Sequence, residues 1–225
     1  MDFSPLFISL KTALLATVIT FFLGLFAAQW VGKIKHGKGI VDGIFTLPMV
    51  LPPTVVGFFL ILIFGNNSLI GILLSKINIT IMFSWTATVI SACVVSFPLM
   101  YRTTRGAFEQ IDMDMVYAAR TLGMSERKIF WNIILPISWP GVAAGTILSF
   151  ARALGEFGAT IMIAGNVPGR TQTISTAIYT AVQSGDRTTA YQWTGVIVVI
   201  SFTTIILLNY WSNHQKKLIA RCTQK

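Results

Sequence analysis

The chain holds 225 residues, 54% of them hydrophobic and only 11% charged, with a formal net charge of +9. A soluble domain carries about a quarter charged residues, so this composition, with a mean hydropathy of +0.70, excludes an ordinary soluble enzyme. A basic excess in a soluble protein would point to nucleic acid; here it follows from membrane topology, and no nucleic-acid partner is expected.

Five windows contain no Asp, Glu, Lys or Arg: 12–32, 43–75, 77–101, 129–151 and 188–215. Each reaches or exceeds the roughly 20 residues that cross a bilayer as a helix. The pattern predicts a single all-α integral membrane domain over 1–225, with about five transmembrane helices.

The first span is expected over 7–31. Lys33, Lys35 and Lys38 follow it as a stop-transfer flank would, and Asp2 stands where a cleavable signal has a basic residue. The second span, 44–65, contains Pro48, Pro52 and Pro53. Prolines free backbone groups that lipid cannot satisfy. They mark either a kinked helix start or an irregular segment lining a translocation route. The third span is expected over 81–101.

The segment 102–136 breaks the apolar pattern. Asp112 or Asp114 can cap a helix ending near Leu122, with Gly123 as a left-handed stop. Ser125 caps a second helix leading to Pro136, with Glu126 in its first turn. Ala118, Ala119 and Gly123 carry almost no side chain, so another surface can approach the backbone. The first helix is too short to hold alone in water. It either docks on a partner protein or packs only on its own bundle.

The fourth span is expected over 138–164, with Ser138 as cap and Pro140 in the first turn. Gly141 and Gly145 form a GxxxG step that suits close helix packing. Arg152 and Glu156 lie four apart on this span, near mid-membrane. A lone arginine there costs about 2.5–3.5 kcal/mol, so an intramembrane ion pair is expected. It serves packing at a helix or subunit contact, or Arg152 faces the route and favours a passing anion.

The segment 166–190 carries Ile174, Ala177, Ile178, Ala181 and Val182 at helical spacing, with Gly185 as a stop. This amphipathic helix packs on its own bundle or docks a soluble partner. The fifth span, 193–212, has Trp193 and Trp211 as interfacial anchors.

Lys33–Lys38, Arg102–Lys128 and the stretch after Gln215 hold twelve of the 17 Lys and Arg residues. Lys11, Lys76, Arg170 and Arg187 fall on the opposite side. The positive-inside rule therefore places the N-terminus outside and the C-terminus in the cytoplasm. Cys93 and Cys222 are too isolated for a disulfide or metal site. The string Gly32–Gly39, GKIKHGKG, misses a phosphate loop because Gly39 replaces the hydroxyl residue at the magnesium position. No catalytic residues, metal or cofactor are expected.

The spacing Ala118-Ala119, three residues, Gly123, nine residues, Ile133, one residue, Leu135-Pro136 resembles the EAA loop of ABC-importer permeases. Tyr117 stands where that loop usually has glutamate. Arg152–Tyr179, RALGEFGATIMIAGNVPGRTQTISTAIY, is similar to the molybdate permeases of the same superfamily, as is LPPTVVGFFLI, Leu51–Ile61. The resemblance implies a type I ABC-importer permease core in a bacterial inner membrane. It implies that Ala118, Ala119, Arg120 and Gly123 dock on a cytoplasmic ATPase, with ATP hydrolysis confined to that partner. Five helices leave little room for a private pore, so a homodimer is expected, and the resemblance further implies two ATPase subunits, an external substrate-binding protein, and an oxyanion cargo, molybdate first. A sulfate or tungstate permease is the near alternative. A self-sufficient ion-coupled carrier and a membrane signalling scaffold are the distant ones.

Overall fold

Lipid offers no partner for a bare N–H or C=O, so apolar spanning segments must close their hydrogen bonds internally as helices. The computed structural model describes residues 2–34 and 36–223, with side chains described through Ile206. Trp211, Cys222 and the basic residues of the tail therefore lie outside the described side chains. Every described element is helical.

Helix α1 (Ser4–Lys33) leads into α2 (Lys38–Val50) and α3 (Pro53–Phe64), then the short α4 (Leu69–Ser75) and the long α5 (Trp85–Glu109). Next come α6 (Met113–Thr121), α7 (Glu126–Ile129), a π-turn over Phe130–Ile134 and α8 (Leu135–Leu154). Helices α9 (Gly158–Ala164), α10 (Ile174–Gln183) and α11 (Arg187–Thr223) complete the order. Three runs are long and apolar enough to cross a membrane singly: Ser4–Lys33, Glu126–Leu154 and Arg187–Ile206. Helices α2 and α3 qualify together, as a pair bent by 112°.

Helix α5 forms the axis of the bundle, with α1, α2, α8 and α9 packed around it. Its buried face is small and hydroxylated, including Ala87, Thr88, Ser91, Ala92, Ser96 and Thr104. Among membrane helices such residues permit close approach and interhelical hydrogen bonds. Thr12 and Thr88 pair through their hydroxyls at 3.1 Å, Ser91 and Thr160 at 2.8 Å, and Trp85 Nε1 donates to Thr12 at 3.0 Å. The GxxxG step packs on this axis: a Cβ at Gly141 would meet the Ala107 Cβ at 2.5 Å, and one at Gly145 the Thr103 Cβ at 3.1 Å.

The structure departs from the sequence expectation at several boundaries. The stretch 44–65 is two helices, broken at Leu51 and Pro52, while Pro48 is accommodated inside α2. Helix α5 starts at Trp85, where Ser84 accepts the Ala87 N–H, and runs on to Glu109, so the segment 102–136 begins inside a helix. Ser138 caps nothing; its hydroxyl donates to the Ile134 carbonyl within a helix already under way. The π-turn explains this continuity. Leu135 N–H bonds the Phe130 carbonyl five residues back, and Pro136, which has no N–H, follows where the ladder changes register.

The stretch 138–164 is also interrupted. Helix α8 stops at Leu154 and α9 starts at Gly158. This break meets the α2–α3 bend: a Cβ at Gly158 would stand 2.8 Å from the Pro53 Cβ and 3.3 Å from the Thr54 nitrogen. Gly158→Leu should therefore push α3 off α9. The expected loss is about 1–3 kcal/mol, as for overpacked cores, read as a lower melting temperature in detergent.

Helix α10 lies against α1 and α11. Ile174 and Ala177 pack with Trp193 and Leu6, and the Ile174 N–H donates to Ser9 Oγ at 2.8 Å. Val182, grouped with them by spacing, is exposed, and Gly185 holds φ +78 as the stop.

Candidate functional site

Two regions carry the residues singled out by sequence. The first is the basic end of the bundle, where α6 projects. Asp112 caps α6 by accepting the Asp114 N–H at 2.9 Å. The helix ends at Gly123, whose φ of +76 only glycine adopts without strain. Gly123 N–H returns to the Arg120 carbonyl and Met124 N–H to that of Ala119, closing the last turn. Ser125 then caps α7.

Arg120 and Glu126 bridge this turn with two bonds, Nε to Oε1 at 2.7 Å and Nη2 to Oε2 at 3.2 Å. The Arg120 guanidinium also lies 5.6 Å from the Tyr117 ring centroid. Hydrogen bonding from Arg120 holds the Glu126 carboxyl below its ordinary range. The charges of this turn are thus paired within the chain.

Helix α6 has two unlike faces. Val116 and Ala119 are buried with Ile111 and Ile129, and Met124, Ile133 and Ile134 pack against that cluster. Met113, Met115, Tyr117 and Ala118 face outward, as does Leu122, which is 82% exposed. The two alanines therefore divide. One residue turns a helix by about 100°, so Ala118 lies open while Ala119 is covered by the chain itself. Of the loop's end, Ile133 joins the α6 cluster, Leu135 packs beside Leu25 and Phe130, and Pro136 is exposed.

Near this end lies a network that joins α2 to α5. Asp42 of α2 accepts from the Tyr101 hydroxyl and pairs with Arg105, both on α5. Arg105 Nε also donates to Glu109 at 2.9 Å, and Lys38 reaches Glu109 at 3.3 Å. Hydrogen bonds from Arg105, then Lys38, lower the Glu109 pKa. Tyr101, Arg105 and Glu109 recur every four residues, and that charged stripe was the available sequence signal.

The second region is the meeting of the two backbone breaks. Arg152 Nη1 lies 2.7 Å from Glu156 Oε2. Glu156 is not on the same helix, as the spacing had suggested, but in the break after Leu154. Its other oxygen accepts the Ala159 N–H at 2.8 Å, so the carboxylate also caps α9. Pro52 and Pro53 stand at the facing bend, exposed, and Pro48 is half-buried one turn earlier.

Residues 12–215 match the family described as binding-protein-dependent transport system inner membrane component. YvgM of Bacillus subtilis (strain 168), named as a molybdenum transport system permease protein, is 45% identical over 94% of each chain. Molybdenum transport system permease protein ModB of Escherichia coli (strain K12) is 43% identical over 81% of each. An inward-facing MetNI methionine ABC transporter shares the fold, with a TM-score of 0.72 at 14% identity, over 93% of this chain and 94% of that one. Apolar helices around a hydroxylated axis, a turn closed by a left-handed glycine, and matches across nearly the whole length lead to one conclusion: the chain belongs to the family of binding-protein-dependent transport system inner membrane components.

Proposed function

We propose that the chain is the permease subunit of an ATP-driven oxyanion importer, with molybdate as the first cargo. The observation that carries this reading is the projecting helix α6, packed through Val116 and Ala119 and open through Met115, Ala118 and Leu122. A short helix with a free apolar face needs a covering surface, and an ATPase groove is the surface such a permease requires. The relatives named for molybdenum transport support the choice of cargo.

In this reading the basic end faces the cytoplasm, the N-terminus lies outside, and two copies enclose the route along a two-fold axis. The outer side receives a loaded binding protein. Nucleotide-driven closure of two ATPases moves α6, and the continuous run from α7 through α8 carries that motion toward the two breaks.

Reconstitution in vesicles with the ATPase and binding protein tests this. Radiolabelled molybdate should accumulate only with ATP inside the ATPase compartment, and excess unlabelled molybdate should abolish accumulation. Preferential sulfate uptake would make the chain a sulfate permease. Uphill uptake without the ATPase would make it a self-sufficient carrier.

A further inference from the structure

Glu156 and Arg152 are unequal partners. The Glu156 side chain is 2% exposed and that of Arg152 35%. Both Glu156 oxygens are engaged, one by Arg152 and the other by the first turn of α9. Arg152 is held through Nη1 alone; among the described residues its Nε and Nη2 meet no acceptor. Here the acid is sealed and anchored to backbone, while one edge of the guanidinium stays open.

That edge cannot lie in hydrocarbon without an acceptor, so it faces a second subunit, water or an anion, and a route between two copies brings all three together. Its exposed neighbours Ala151 and Gly155 leave space beside it. The planar guanidinium matches a pair of oxygens on a tetrahedral anion. Glu156 offsets part of its charge, which favours a brief contact over capture.

We propose that Arg152 is a transit contact for the tetrahedral oxyanion, positioned by Glu156 at the junction of the two helix breaks. The inference rests on the transport reading above and adds the residue that meets the cargo. Glu156 acts as a positioning residue; its carboxylate holds Arg152 and the start of α9 in fixed relation.

The test replaces the pair by a neutral one, Arg152→Met with Glu156→Gln, whose Gln oxygen can still accept the Ala159 N–H. Vesicles carrying this double variant, the ATPase and the binding protein are assayed for molybdate uptake per ATP hydrolysed. A purely structural pair tolerates the exchange, as buried ion pairs often do. A transit contact does not, and uptake per ATP should fall roughly tenfold, the scale of one lost charged hydrogen bond. Uptake by the double variant at the parental ratio would overturn the proposal.

A second measurement does not depend on that variant's folding. With Cys93 and Cys222 replaced by serine, Ala151→Cys is labelled by a neutral thiol reagent with and without millimolar molybdate. Molybdate should slow labelling, and should fail to do so when Arg152→Gln is added. Labelling indifferent to molybdate in both backgrounds would overturn the proposal. Absence of ATP-driven import by the parental complex would instead defeat the transport reading itself.

Discussion

Leu122→Glu is expected to leave the protein folded and inserted in the membrane, yet to abolish its co-purification with the ATPase and its ATP-driven uptake. Leu122 is 82% exposed at the end of α6, and substitutions at such positions usually change stability by less than about 0.5 kcal/mol. Docking is another matter. Burying a leucine contributes about 1.5–3 kcal/mol, and a carboxylate forced into the same groove adds a desolvation penalty. Together these predict an affinity loss of roughly 100-fold or more. The opposite face supplies the contrast. Ala119→Glu places a charge in the cluster of Val116, Ile111 and Ile129, so it should lower the melting temperature before docking is tested. If Leu122→Glu bound and stimulated the ATPase normally, the outward face of α6 would not be the docking face.

Glu156→Ala should be the most damaging single change inside the bundle. It removes the acid from Arg152 and the acceptor from the Ala159 N–H in one step. Breaking a buried pair costs about 3–5 kcal/mol; Arg152 is one-third exposed, which places this case at about 3, with about 1 more for the lost cap. That is a sizeable fraction of the roughly 5–15 kcal/mol by which native domains are stable. The checkable outcome is a sharp fall in membrane yield and in detergent melting temperature. Glu156→Gln, which keeps the cap, should recover part of both. A stable, high-yield Glu156→Ala protein would show that neither contact matters to the fold.

Local chemistry made the α6 region readable. A carboxylate two residues before the Asp114 amide, a serine before Glu126 and a glycine after Leu122 each act within one turn, so residue type alone reports them. The paired prolines announced the α2–α3 break for the same reason. The break after Leu154 was not readable. Helix-forming residues continue through Arg152, Ala153 and Leu154, and apolar periodicity does not lapse. It rests on one contact distant in sequence, Gly158 against Pro53, joined by the local Glu156 cap on α9. The early start of the helix before Pro136 was hidden because a π-turn shifts the ladder by one residue. Pattern reading assumes the ordinary register. The Asp42–Arg105 pair spans 63 positions and needed α2 laid along α5 before it had any meaning.

The hydroxyl-rich axis has a consequence for how the chain sits in lipid. Helix α5 is less apolar than the three runs that meet the length and hydropathy of a span singly, because its buried face is small and hydroxylated. In the folded bundle its hydroxyls and carbonyls are sheltered by α1, α8 and α9. Residence of this central helix in lipid is therefore expected to depend on its flanking segments, which supply the polar partners that acyl chains lack.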